Sequence, residues 1–113
     1  MNKFLLAFFL LLQVFSSLAL SSTSHGKVIE YWVHNGGDDN FLFMVENQQG
    51  RPACASFGTP NGRYAVSMRT EKGKMIAASI IAAEASKATV YVHGMNVCNQ
   101  WPDAEDIHHI SVK

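Results

Sequence analysis

Apolar and polar residues alternate through KVIEYWVH at 27–34, where Ile29, Tyr31 and Val33 share one side of an extended chain and Val28, Glu30, Trp32 and His34 the other. A period of two over β-branched and aromatic residues predicts a strand, with the Ile29 set inward, and the following Asn-Gly-Gly-Asp-Asp run predicts a turn. Trp32 is then a surface contact for a ligand or partner, unless the barrel curls at its edge and buries both faces. The alternation returns in NFLFMVE at 40–46, where Phe41, Phe43 and Val45 form a core stripe and Leu42 and Met44 are left for an interface. NQQGRP turns the chain into a third strand, ACASF at 53–57. GTPNG turns it into a fourth, RYAVSMR at 63–69. Three hairpin-like links in succession predict a meander.

The period then changes. Thr70 is placed to cap a helix over 70–86, whose first turn Gly73 weakens. At 100° per residue Ile76, Ile80 and Ala83 lie on one arc, facing the sheet, while Ala77, Ala78, Ile81, Ala82 and Ala85 occupy the other. Two explanations fit this nearly apolar ring. Alanine forms helix well and tolerates exposure, or small side chains let another subunit approach, making the second arc an oligomer interface. ATVYVH and IHHISV predict strands at 88–93 and 107–112, separated by an irregular stretch at 94–106. The order is four strands, one helix and two strands, an α+β, mainly β pattern whose strands look too short and closely linked for parallel crossovers.

What precedes the first strand reads differently. Lys3, an apolar run over 4–12 and the small-x-small exit at Ser17 and Ala19 fit a signal peptide at 1–19 and an exported protein, periplasmic or secreted. Cleavage after Ala19, or a few residues later, leaves a flexible leader at 20–26 and a single domain at 27–113, with no membrane span in the mature chain. The whole chain balances nine Lys and Arg against nine Asp and Glu, so loss of Lys3 tips the mature charge to −1. Its basic residues are dispersed among acids, which argues against nucleic acid as a partner. Cys54 and Cys98 in an oxidising compartment predict one disulfide; a reactive thiol or metal-bound pair is the alternative, without a C-x-x-C spacing to favour it.

The 94–106 segment, GMNVCNQWPDAED, is the candidate site. It is long for a connection in so small a domain, and it sets the flat ring of Trp101 beside Asp103, Glu105 and Asp106, a combination suited to stacking on a sugar and hydrogen-bonding its hydroxyls. Trp32 is the second candidate contact. The competing reading makes Trp101 a cap on the core next to the disulfide and the acids a solvated loop. Of the five histidines, His108 and His109 are adjacent on a strand and should point to opposite faces, and only His93 and His109 could join Asp103 or Asp106. No metal site and no cofactor is assigned. Ser56 or Ser67 with His93 and Asp103 makes a triad on paper only, since no Gly-x-Ser-x-Gly turn is present. No catalytic residue is assigned, and catalysis is the less favoured class.

The element order, one helix among six strands in about a hundred exported residues with one disulfide, resembles the OB-fold B subunits of AB5 bacterial toxins. That resemblance implies a small OB-like antiparallel barrel, a ring of five with its helices lining the pore, and glycan binding; no glycan-contact residue is carried over. The wording of RPACASFGTPNGRYAVSMRTEKGKMIAASIIAAE and of the Gly94, Cys98, Trp101, Asp103, Glu105 pattern is similar to a family of small exported Gram-negative proteins without an assigned function. That second resemblance implies fold and export alone. Together with the residues, these point to a non-enzymatic binding module recognising a glycan or protein through its loops, as a homo-oligomer if the helix is covered twice. The alternative is a monomeric periplasmic accessory or inhibitor protein, and a small hydrolase or metalloprotein comes third.

Overall fold

Backbone pairing ties the two halves of the chain together. The computed structural model describes residues 21–35 and 37–113; the expected signal peptide at 1–19 and Leu20 lie outside them. In chain order the elements are β1 (Thr23–Gly26), β2 (Val28–His34), β3 (Asn40–Val45), β4 (Tyr64–Ser67), helix α1 (Glu71–Ser86), β5 (Val90–Gly94) and β6 (Glu105–Val112). Four strands, a helix and two strands are present, but not the expected four.

The stretch 53–57 is turn and coil rather than a strand. The Ala55 N–H donates to the Pro52 carbonyl and the Ser56 N–H to the Cys54 carbonyl, local closures that replace a ladder, while the Phe57 N–H reaches across to the Asp103 carbonyl. Conversely, the leader expected at 20–26 contains β1. Its inward side chains are hydroxyls: Ser22 and Ser24 are buried, and their Oγ atoms lie 2.8 and 2.7 Å from the Tyr64 hydroxyl. A buried strand edge satisfied by hydroxyls has no apolar period to betray it.

The sheet order is β1-β5-β6-β4-β3-β2. Only Lys27 separates β1 from β2, so one bent segment supplies both ends of that order, β1 pairing with β5 and β2 with β3. The sheet curls into a half-barrel, giving a small α+β, mainly β, OB-like fold. It is not wholly antiparallel. β4 and β6 run parallel, with Tyr64 opposite Glu105 and Ala65 opposite Asp106. The expectation against parallel pairing fails because α1 and β5, lying between these strands, form the long crossover that such a pair requires.

Phe41, Phe43 and Val45 are fully buried, as their alternation predicts, and join Tyr64, Val66, Ile76, Ala77, Ile80, Ala83, Val90, Val92 and Ile107 in the main core. Thr70 caps α1, its Oγ1 accepting the Gly73 N–H at 2.9 Å. Gly73 does more than weaken the first turn: a Cβ there would overlap the Ser67 carbonyl oxygen, so its absence lets the helix start directly against β4. Tyr31 and Val33 are on the core side of β2, opposite Phe43 and Phe41, yet Val33 is 62 % exposed because the half-barrel ends at this strand. A β-bulge between Val28 and Glu30 makes Ile29 the extra residue, exposed, and turns Val28 to the core opposite Val45, which breaks the expected alternation. Among the described residues, no helix is long and apolar enough to cross a membrane.

Candidate functional site

The other face of β2, β3 and β4 is covered by two loops. Even-numbered side chains on this face, Trp32 opposite Leu42 and His34 opposite Asn40, meet a second cluster of Leu42, Ala65 and Ala104, against which Trp32 and Trp101 pack half-buried. Leu42, expected at an interface, is fully buried by this layer, and Trp32 is part of it rather than a free surface contact. The Cys54–Cys98 disulfide staples the 46–63 loop to the 95–104 loop, with 6.1 Å between Cα atoms.

Arg63 anchors the pair of loops. Its guanidinium lies 3.8 Å from the Phe57 ring centroid and 5.1 Å from that of Trp32, and its Nε and Nη2 both donate to Asp103 Oδ1, at 3.2 and 3.0 Å. A largely desolvated cation between two rings and a carboxylate is a strong local clamp. Above it, Trp101 stacks on His34 at 4.9 Å between centroids, and the neighbouring Gln100 Nε2 donates to Asn40 Oδ1 at 2.7 Å. The result is a partly exposed indole backed by an imidazole, in a loop that the Gln100–Asn40 bond ties to β3.

The three acids near Trp101 have separate jobs. Asp103 pairs with Arg63. Asp106 Oδ1 accepts the Asn99 and Gln100 N–H groups at 3.1 and 3.0 Å, shaping the turn that carries Trp101. Glu105 opens β6 with its side chain inside the barrel, 0 % exposed, where it accepts from the Ser22 and Asn96 N–H groups at 3.2 and 2.8 Å and from the Ser22 hydroxyl. The adjoining Tyr64 hydroxyl is raised above its ordinary pKa, first by burial and least by the Glu105 charge, while its bonds to Ser22, Ser24 and Gln48 work in the opposite direction. Sequence alternation puts Glu105 and Asp106 on opposite faces of a strand, but β6 begins two residues before the expected start, so the period was hidden in the loop.

A third feature lies on β5 and β6. His93 opposes His109 while Gly94 opposes Ile107, which leaves His108 as the extra residue of a β-bulge. The bulge overturns the expectation that His108 and His109 point apart: their Nδ1 atoms are 2.8 Å from each other, and the His93 and His109 rings are 4.7 Å apart. Neither Asp103 nor Asp106 joins them, and among the described residues no group of three or more His, Cys, Asp or Glu could hold a metal ion. A groove of about 490 Å³ between α1 and β6, lined by Lys72, Met75, Ile76, Ser79, His108, His109 and Ile110, adjoins this cluster and lies away from Trp101. His109 is held below its ordinary pKa by loss of hydration, then by His93, His108 and Lys72. A depressed histidine takes up its proton more readily in the unfolded chain, so its contribution to stability is present above about pH 6.5 and is lost as pH falls through the folded value. Urea midpoints measured from pH 7.5 to 5 should therefore decline, and His109→Gln should flatten that decline; an unchanged slope in the variant would assign it to other groups.

The helix face expected to meet a second subunit is only partly available. Ala77 is turned into the main core, whereas Ala78, Ile81, Ala82 and Ala85 are exposed beside Met75, which is 70 % exposed.

No family model, curated protein or solved structure matches this chain. Its activity must be read from its own residues, and of the three features the Trp101 platform combines the most ligand-binding chemistry. The signal that could have located it more fully was Arg63, an arginine leading a strand, followed directly by Tyr64 and preceded six residues earlier by Phe57.

Proposed function

We propose that the protein is an exported, non-enzymatic binding module that takes a glycan on the Trp101 platform. The observation that carries this reading is the partly exposed Trp101 indole, stacked on His34 and carried by one of two disulfide-stapled loops, with the partly exposed Gln100 side chain next to it in sequence. A rigid aromatic plane stacks on the C–H face of a sugar while polar groups of the adjoining loops meet its hydroxyls, and prior fixation of the platform keeps the entropic cost of binding low. The outer face of an OB-like barrel with its adjoining loops is a general location for oligosaccharide sites. Export is supported by the Lys3, apolar and small-x-small pattern of residues 1–19 and by the disulfide.

The test is a glycan array with the oxidised protein, followed by titration of the best ligand against Trp101→Ala. The substitution should weaken binding about tenfold or more, equivalent to about 1.4 kcal/mol, while a urea melt reports any accompanying loss of stability. Full binding by a folded Trp101→Ala protein would sink the reading, as would the lack of any glycan bound by the unaltered protein. A ring of subunits, with the exposed Ala78, Ile81, Ala82 and Ala85 face inward, is the assembly this reading favours. Size exclusion with light scattering decides it. A monomer would leave the helix face to water and favour the accessory or inhibitor role.

A further inference from the structure

Glu105 is a fully buried carboxyl group with three hydrogen-bond donors, and among the described residues no Lys, Arg or His forms an ion pair with it. A carboxylate in that position without a counter-charge is expensive. Two of its donors belong to one residue, Ser22, through both the backbone nitrogen and the hydroxyl. Ser22 is also the first buried residue among those described. Ser21 is exposed and Ser22 is fully buried, with the Ser22 carbonyl accepting the Gly94 N–H at 2.9 Å. In sequence, Ala19 and Ser21 put small side chains at the third and first positions before the Ser21–Ser22 bond, the pattern a leader-removing peptidase reads.

We propose that the leader is removed between Ser21 and Ser22, two residues beyond the Ala19 site, and that the new α-ammonium of Ser22 is the missing counter-charge of Glu105. Water cleaves the amide C–N bond. Its oxygen goes to the Ser21 carbonyl carbon, which leaves as a carboxylate on the released segment, and the Ser22 nitrogen takes up protons to become an ammonium. The nitrogen keeps its place beside Glu105 Oε2, 3.2 Å away, and a neutral donor becomes a charged one at a buried acceptor. Removing exposed Ser21 opens a path to solvent for the remaining ammonium protons, so none is left buried without a partner. Cleavage after Ala19 would instead leave Leu20 and Ser21 ahead of Ser22 and an amide at Glu105. Processing at Ser22 therefore adds a stabilising charge pair to β1 that the unprocessed chain lacks.

The inference rests on the export reading, and one experiment separates the two. The full chain is produced with its own leader in a Gram-negative host, and the folded, oxidised protein is analysed by intact mass and N-terminal sequencing. The expected product starts Ser-Thr-Ser at Ser22. A start at Leu20 overturns this proposal and leaves export standing, whereas an intact chain from Met1 overturns both. The pairing is then read by acylation of the α-amine near neutral pH. Pairing that raises the ammonium pKa by one unit slows labelling tenfold relative to the free peptide Ser-Thr-Ser-His-Gly. Glu105→Gln should restore the peptide's rate. Equal rates for the native protein and the peptide would overturn the pairing without any need for the variant to fold.

Discussion

Replacing both Cys54 and Cys98 by alanine lowers stability by about 4 kcal/mol, the chain-entropy value for a cross-link with a sequence separation of 44. In a single small domain this approaches the whole margin between folded and unfolded states. The loss is larger in its local effect than an entropic count implies, because the bond joins the loop bearing Phe57 to the loop bearing Trp101. Without it, the Arg63 clamp and the bond from the Phe57 N–H to the Asp103 carbonyl remain to hold the two together. Urea unfolding followed at two wavelengths checks this: tryptophan emission should shift in the folded double variant before far-ultraviolet dichroism reports unfolding. Coincident transitions with a midpoint equal to that of the oxidised protein would show that the bond constrains neither the loops nor the chain.

Gly73→Ala costs about 3 kcal/mol, the upper end for forcing atoms into a packed site, although alanine is the better helix former by about 1 kcal/mol. The added methyl meets the backbone of Ser67, and backbone cannot rotate aside as a side chain does. Either α1 moves off β4, exposing Ile76 and Ile80, or the Thr70 cap breaks. Ala78→Gly is the control, an exposed position on the same helix where the reverse change should cost about 1 kcal/mol from propensity alone. Thermal melts of the two variants that differ by less than their error would show that the close approach at Gly73 is not tight.

The parts of this fold that were legible in the sequence are those whose residues bury carbon. Phe41, Phe43 and Val45 announce their strand by period two, and Ile76, Ile80 and Ala83 announce the inner arc of α1, because each apolar side chain carries its burial in its chemistry. The two cysteines likewise permit one intramolecular bond. β1 was illegible for the opposite reason: its buried side chain, Ser24, and that of the preceding Ser22 are hydroxyls, and their partners Tyr64 and Glu105 are distant in sequence. The 53–57 segment shows the converse, strand-like composition made into a loop by local turns and a cross-link. At the candidate site, Trp101 could be singled out by its loop, but its support could not. His34, Arg63 and Asn40 come from three other elements or their flanks, and a single chain read linearly carries no signal that they converge. The face of Glu105 was hidden in the same way, since parallel pairing to Tyr64 extends β6 upstream.

The bent β1–β2 segment also sets a timetable. As the chain folds, β2 meets its partner β3 after one short turn, whereas β1 has only the bonds of Thr23 to Gln49 and of His25 to Glu46 until its strand partner Val90–Gly94, far along the chain, reaches it. One half of a continuous stretch thus pairs early, while the other holds one edge against residues 46–49 and keeps the edge that meets β5 waiting through almost the entire length of the domain. During that interval the N-terminal edge is open to chaperones and proteases, and the last strands to be made are the ones that close it.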